Sequence, residues 1–408
     1  MDLRNTCVAV VGAGIGGMAA AVLLARAGAE VTLLERAAQI RAVGAGILLQ
    51  PNGLAVLYGL GLDAPLHRAG QRVAAVTVRG PDGRSITELA VPDFGSGLDH
   101  HLAVRRSALH AALLDAVRAE PRVTCRPGVE VVAADRWGTV GIGGHADAVR
   151  AAVGERLVAD LVVGADGVRS AVRDRVAFGA RVRRSGDVYV RGLVPMADPG
   201  RPGESWTPLG IFGGAPVDAG TRYFYASATA PAVRAAVAAR NLDALRTAWR
   251  GGLPDAGQVL EAVGSFDELL VNDVVLVRCA RWHAGRRVLL GDAAHAMAPT
   301  AGQGANSALV DAAVLVAELS AAETVPAGLA GYTARRRRAV HAVQTRADRL
   351  TRVAHLRSPL ARRLRDAALG ALGRRPGAAE RIVCDAQQED RAALLALVGG
   401  IAGPRGTA

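Results

Sequence analysis

The chain has 408 residues, 50% of them hydrophobic and only 3% aromatic, and a formal net charge of +12. Its whole Lys+Arg count of 49 is arginine, which excludes chemistry that needs a lysine amine. That length allows two or three lobes around large cores of Ala, Val and Leu. The positive charge comes with no aromatic-interleaved basic groove and no helix-turn-helix pattern, so nucleic acid is not the expected partner. Cys7, Cys125, Cys279 and Cys384 are scattered without a C-x-x-C pair. Neither a zinc site nor a disulfide framework is therefore expected. The apolar run from Val8 carries glycine spacing foreign to a signal peptide. The run Ala392 to Ala402 is too short to span a bilayer. The expectation is a cytoplasmic protein without stable membrane insertion.

Val8 to Val11 is apolar and β-branched and predicts a buried strand. Gly12, Gly14 and Gly17 follow in G-x-G-x-x-G spacing. Met18 to Arg26 reads as a helix closed by Gly28, and Val31 to Leu34 as a second strand ending at Glu35. The first glycine permits a tight turn, the second a close pyrophosphate, and the third close helix–strand packing. The helix N-terminus favours phosphate, and an acid at the second strand's end suits a ribose diol. This order of strand, glycines, helix, strand and acid predicts a dinucleotide site.

Residues 36–50 read as a loop containing Gly44-Ala45-Gly46, turning at Pro51-Asn52 into a helix from Leu54 to Leu60. Residues 72–90 read as a hairpin around Pro81-Asp82-Gly83. Ser107 is expected to cap a helix from Ala108 to Val117, with Arg105 and Arg106 just upstream. Val129 to Val132 reads as a strand, whereas Trp137 to Val153 has no clear assignment. Leu157 to Val163 leads into GADGVRSAVR, placing Asp166 at the carboxyl edge of a sheet, where open α/β sheets bind ligands.

Residues 187–194 and 221–229 read as strands. Alternation puts Tyr189 with Arg191, and Tyr223 with Tyr225 and Ser227. Residues 231–263 read as helical. In 286–319 a strand, Val288 to Leu290, ends at Gly291-Asp292. A loop from Pro299 to Gly304 then opens a long helix with Ala305 and Asn306 in its first turn. That terminus stabilises negative charge. Residues 331–408 read as Arg- and Ala-rich helices, with Arg335 to Arg338 as a solvated face.

GAGIGG with Glu35, GADGVRSAVR and GDAAHAMAPTAGQGANSALVDA together resemble the single-component flavoprotein monooxygenases of the para-hydroxybenzoate hydroxylase type, to about residue 345. The resemblance implies an α/β fold: a Rossmann-like FAD-binding domain (1–178 and 276–330), an inserted mostly β substrate domain (179–275), and C-terminal helices (331–408). Residues 71–99 are left open to pairing with the substrate sheet. It implies FAD and NAD(P)H as cofactors and O₂ and a small-molecule substrate as partners, in a monomer or homodimer. Gly12, Gly14 and Gly17 would hold the pyrophosphate, and Glu35, with Arg36 beside it, the adenosine ribose. Arg105 would lie near the flavin's phosphate and ribityl chain, and the Val131 backbone at adenine. Asp166 would serve both FAD and the reduced nicotinamide, and Asp292 the ribityl-pyrophosphate region. Backbone from Gly302 through Gly304 and Ala305 to Asn306 would face the flavin's pyrimidine edge, and the 44–50 loop its ring.

The implied reaction transfers one oxygen atom from a flavin C(4a)-hydroperoxide to an electron-rich aromatic or polyketide-like molecule. Arg191, Tyr223 and Tyr225 are the candidate substrate-pocket residues. Epoxidation, Baeyer–Villiger-type oxidation, double-bond reduction and a non-catalytic flavin-binding role remain open on the same fold. Halogenation is excluded, because it needs a lysine and a W-x-W-x-I-P segment. His295 reads as structural, and no residue declares itself as the base for a phenol.

Overall fold

The computed structural model describes residues 3–40, 44–94, 97–143, 155–375 and 377–402. Cys7–Val11 runs through the middle of a six-stranded sheet. Glu30–Glu35 and then Val123–Pro127 lie parallel on one side. Leu161–Gly164 and Arg287–Leu289 lie parallel on the other, with His283–Ala284 as an antiparallel edge. The chain leaves Cys7–Val11 in one direction and returns on its other side. The carboxyl ends of Cys7–Val11 and Leu161–Gly164 therefore flank a topological switch point, where such sheets form a ligand crevice.

Behind that crevice packs the helix Ile15–Arg26, buried from Ile15 through Ala25. It opens three residues earlier than the sequence suggested. A Cβ on Gly16 would lie 2.9 Å from Leu290 Cδ1 and 3.0 Å from Ala308 Cβ, so this helix and Gly304–Ala321 are pressed together over a side chain that is absent. Gly304–Ala321 is long and apolar enough to cross a membrane, but 67% of it is buried inside the protein, the state of a core helix.

A seven-stranded sheet runs Leu270–Cys279, Ala180–Pro195, Thr221–Ser227, Gly210–Asp218, Gly203–Thr207, Ala75–Arg79, Ser85–Ala90. The hairpin after residue 70 thus joins this sheet, through a parallel pairing of Ala75–Arg79 with Gly203–Thr207. One face, carrying Val190, Phe212 and Phe224, is sealed by helices Pro231–Ala238, Leu242–Gly252 and Pro254–Glu261. The opposite face is covered in parts. Val73, Ala103 and Leu48 cover Val217 and Tyr223. The 30-residue helix Val325–Ala354 and Leu369 of Pro359–Gly373 cover Trp206 and Ile211.

Several local expectations change. Gly46–Leu49, expected as loop, is a strand paired with His101–Arg105, and the following helix is Pro51–Gly59. Ser107 is no cap: the helix is Arg106–Ala119, with Arg105 at the N-cap position. The run from Leu157 splits into Arg156–Val158, which joins a small sheet with Thr139–Gly143 and Glu130–Ala134, and Leu161–Gly164. Residues 144–153 of the unassigned stretch lie outside the described residues. Arg335 to Arg338 is not wholly solvated, because Arg336 is fully buried.

Candidate active site

At the switch point the three glycines do different work. Gly12 has φ +102°, and a Cβ there would meet the Ala165 carbonyl oxygen at 2.6 Å. A Cβ on Gly17 would meet the Gly12 carbonyl oxygen at 1.9 Å. Both glycines are demanded by the protein's own packing. Gly14 is different: it is extended (φ −77°, ψ −179°) and no heavy atom lies within 4 Å of its missing side chain. It borders open space at a helix N-terminus that no side chain caps. The first-turn N–H groups have no intrahelical acceptor, and space beside them suits a phosphate.

Glu35 is held firmly. Its carboxylate accepts from the Ala13 N–H at 2.8 Å and the Ala37 N–H at 3.0 Å. A carboxylate accepts about four hydrogen bonds, so capacity for a diol remains. Arg36 beside it is exposed. The Val129 N–H bonds to the Glu35 carbonyl at 2.8 Å, which sets the segment containing buried Val131 next to this acid.

Asp166 accepts from the Ala171 N–H at 2.7 Å and the Val172 N–H at 3.2 Å through one oxygen. Its other oxygen is buried with no partner. Burial pushes its pKa up, against these hydrogen bonds. An orphaned buried acceptor beside an open glycine cradle fits a hydroxyl-bearing dinucleotide such as FAD.

Asp292 starts the short helix Asp292–His295 and is exposed at the crevice. The turn before it is pinned from below: the Gly291 N–H donates to Asp311 at 3.0 Å. Asp311 is wholly buried, accepts from Arg336 Nε at 2.9 Å, and lies 2.5 Å from His295 Nε2. The facing charges hold its carboxyl below the usual range despite burial. His295 is thus part of the scaffold.

The loop from Gly302 is knitted to residues 48–52. Asn306 Oδ1 accepts from the Gln50 N–H at 3.0 Å, and Nδ2 donates to the Gly302 carbonyl at 2.8 Å. Gln303 Nε2 donates to Gln50 Oε1 at 2.8 Å, and Gln303 Oε1 accepts from Asn52 at 3.0 Å and Gln388 at 3.1 Å. The Asn306 side chain is therefore a brace, while the backbone of Gly302, Gly304 and Ala305 opens the helix N-terminus.

The two neighbouring arginines separate. Arg105 turns to Asp218 at 2.9 Å and to Thr221 Oγ1 at 2.7 Å, half-exposed. Arg106 points inward instead, under Gly44, whose Cβ would strike Arg106 Cδ at 2.3 Å. Burial lowers its pKa, Asp292 counters this, and Arg191 adds to it. Arg106 thus feels the charge of Asp292, whereas Arg105 is paired with Asp218.

On the partly covered sheet face the alternation holds. Arg191 pairs across strands with Tyr225, Leu193 with Tyr223, and Tyr189 with Ser227. Tyr223 lies against the backbone of Gly46, where a Cβ would fall 2.4 Å from its ring. Tyr189 and Tyr225 pack with Ala298 and Ala301 of the glycine loop. Tyr225 donates to Glu204 at 2.6 Å, a residue that sequence reasoning missed. For Asp311 there was a signal, an acid flanked on both sides by apolar residues of its helix, Leu309-Val310 and Ala312-Ala313.

A dinucleotide crevice running into a tyrosine- and arginine-lined sheet face defines a flavoprotein oxygenase architecture. A profile of the FAD-binding domain family matches residues 5–347, and the chain belongs to that family, of para-hydroxybenzoate hydroxylase type. It is 35% identical to the aurachin C monooxygenase/isomerase of Stigmatella aurantiaca, over 80% of this chain and 84% of that one. It is 34% identical to a 2-heptyl-3-hydroxy-4(1H)-quinolone synthase of Mycobacteroides abscessus, over 90% and 94%. Among solved structures, an arginine-to-glutamine variant of HpxO of Klebsiella pneumoniae complexed with FAD superposes with TM-score 0.78, at 25% identity over 94% of this chain and 98% of that one. A 2-methyl-3-hydroxypyridine-5-carboxylic acid oxygenase variant superposes with TM-score 0.75, at 27% identity over 93% and 96%. The chain is an FAD-dependent monooxygenase of aromatic-hydroxylase type, using NAD(P)H and O₂.

Proposed function

We propose that the substrate is a hydroxy- or amino-bearing aromatic or fused heteroaromatic ring, with 4-quinolones the foremost class. The observation that carries this is the alignment of Tyr189, Arg191, Tyr223 and Tyr225 on one sheet face, against Gly46 and Ala301. Quinolone and aminohydroxybenzoate chemistry in the names of the relatives supports it. Tyrosines give a flat ring both packing area and a hydroxyl partner.

In this reading Gly12, Gly14 and Gly17 and the first turn after them hold the FAD pyrophosphate. Glu35 and Arg36 take the adenosine ribose, and backbone near Val131 the adenine. Asp166, Asp292 and Arg106 serve the middle of the cofactor, with Arg106 in the place first expected of Arg105. Backbone N–H groups from Gly302 to Asn306 face the pyrimidine edge. Bound FAD supplies reduction by NAD(P)H and activation of O₂. The chain's own residues orient the ring, exclude water, and set charge. Arg106 and Arg191 stand near Tyr223, and two cations favour negative charge on a nearby ring oxygen. We place the protein in the cytoplasm, as a monomer or homodimer, with residues 179–275 as the substrate domain.

The test is NAD(P)H oxidation by the holoenzyme with 2-heptyl-4-quinolone, 3-amino-4-hydroxybenzoate and kynurenine, followed by product mass. At least one ring should gain one oxygen atom. Oxidation of NAD(P)H with no ring product from any of them would reject the substrate class.

A further inference from the structure

Glu204 is an acid with no basic partner among the described residues. It lies in Gly203–Thr207, two strands from Tyr225, and meets it across a gap. Glu204 pairs with Gly213, and Gly213 pairs with Tyr225. A Cβ on Gly213 would fall 2.5 Å from Tyr225 Cζ and 2.8 Å from Glu204 Cβ. The missing side chain is what lets the tyrosine reach the acid. Tyr225 Oη donates to Glu204 Oε2 at 2.6 Å, and Trp206 Nε1 donates to Oε1 at 2.7 Å. One donor on each oxygen is the pattern of an ionised carboxylate.

A second observation points to a ligand. Tyr189 is 2% exposed and its hydroxyl has no hydrogen-bond partner. A buried unpaired hydroxyl costs about 1–3 kcal/mol, which a bound polar group would recover. Tyr189 feels both Glu204 and Arg191, and shares its packing with Tyr225 and Ala301. Orphan donor, paired tyrosine and enclosed acid thus converge beside the glycine loop.

We propose that Tyr225 and Glu204 form a proton relay that ionises a ring hydroxyl of the substrate, with Tyr189 donating to the resulting oxyanion. This rests on the aromatic substrate reading above. The ring O–H proton passes to Tyr225 Oη while Tyr225's own proton passes to Glu204 Oε2. The ring oxygen keeps the electron pair, Glu204 ends protonated, and nothing is oxidised. Ionisation enriches the ring carbons in electrons, which an electrophilic oxygen requires. Burial pushes the Glu204 pKa up against its two hydrogen bonds, and a stronger carboxylate base is better matched to a phenol. Other charged or titratable groups around the relay are Asp187 and Arg191 beside Tyr189. Tyr223 lies beside Tyr225, Arg365 is stacked 5.1 Å over Trp206, and His355 bonds to Ser227. Tyr225 and Tyr189 touch the reacting oxygen and are the catalytic residues, and Glu204 acts through Tyr225 as the acceptor of the proton.

The probe is 4-nitrophenol, whose phenolate absorbs in the visible. It is titrated against FAD-loaded protein about one unit below its own pKa, where the free probe is roughly one-tenth ionised. The wild-type holoenzyme should raise the phenolate-to-phenol ratio of bound probe at least about tenfold. Glu204→Gln and Tyr225→Phe should each return it to the solution ratio with FAD content unchanged. Removing a negative charge would by field alone increase the phenolate, so a decrease in Glu204→Gln identifies the relay. No ionisation in the wild type, no binding of the probe, or an equal or stronger phenolate band in Glu204→Gln would each overturn the proposal. The readout needs no oxygen transfer, so its failure is distinct from a failed substrate screen.

Discussion

Gly14→Ala separates cofactor binding from folding. Its missing side chain faces space with nothing within 4 Å, in an extended conformation open to any residue. An alanine at a helix N-cap is worse than glycine by about 0.5–1 kcal/mol, so the apoprotein should lose no more than that. The cost appears when a phosphate approaches. Hydrogen bonds to a charged group are worth about 1.5–3 kcal/mol each. A methyl that displaces one such contact weakens FAD binding roughly ten- to hundredfold. Gly17→Ala is the contrast, because its Cβ would overlap the Gly12 carbonyl oxygen at 1.9 Å. It should cost folding stability first. The assay is FAD titration by flavin fluorescence, paired with urea unfolding of the apoproteins. A Gly14→Ala protein that keeps FAD affinity within about twofold of wild type, or unfolds as readily as Gly17→Ala, refutes the assignment of that space to phosphate.

Arg106→Ala should lower FAD affinity, whereas Arg105→Ala should leave it unchanged and cost under about 1 kcal/mol, since its pair with Asp218 is half-exposed; the same fluorescence titration separates the two. Burial holds the His101 imidazole down to about 4, so the unfolded chain takes up a proton that the folded one refuses. Stability contributed by neutral His101 is complete above about pH 6.5 and lost as pH falls through about 4, by about 3 kcal/mol at most. His101→Gln should flatten that limb in urea unfolding; an unchanged slope contradicts it. Arg191→Ala and Tyr223→Phe should raise hydrogen peroxide at the expense of product while FAD stays bound, because a loosely held ring misses the oxygen transfer. Unchanged coupling in both would place the pocket elsewhere.

The parts legible in sequence were those whose chemistry is local. Gly12, Gly14, Gly17 and Glu35 lie within one strand–turn–helix–strand unit, and their spacing alone carries the geometry. Asp166 and Asp292 were visible because each follows a short apolar strand. Arg105 and Arg106 are consecutive at a strand–helix junction, so sequence alone does not show which of the two turns towards the crevice. Arg105 ends the strand, where it pairs with Gly46 and turns to Asp218. Arg106 begins the helix and points inward. Glu204 left no local mark, since it gains meaning only through two antiparallel registers that carry it across Gly213 to Tyr225. Arg336 reads in sequence as one of four solvated arginines because its buried partner Asp311 lies on another helix.

Aromatic hydroxylation by this chain is tested most directly by a single turnover. FAD-loaded protein is reduced with NAD(P)H in the presence of an accepted ring substrate and mixed with O₂ enriched in the heavy oxygen isotope. The product should carry one heavy atom on a ring carbon, with the second recovered in water. A ring product without the label, or labelled peroxide with the ring unchanged, would contradict the assignment.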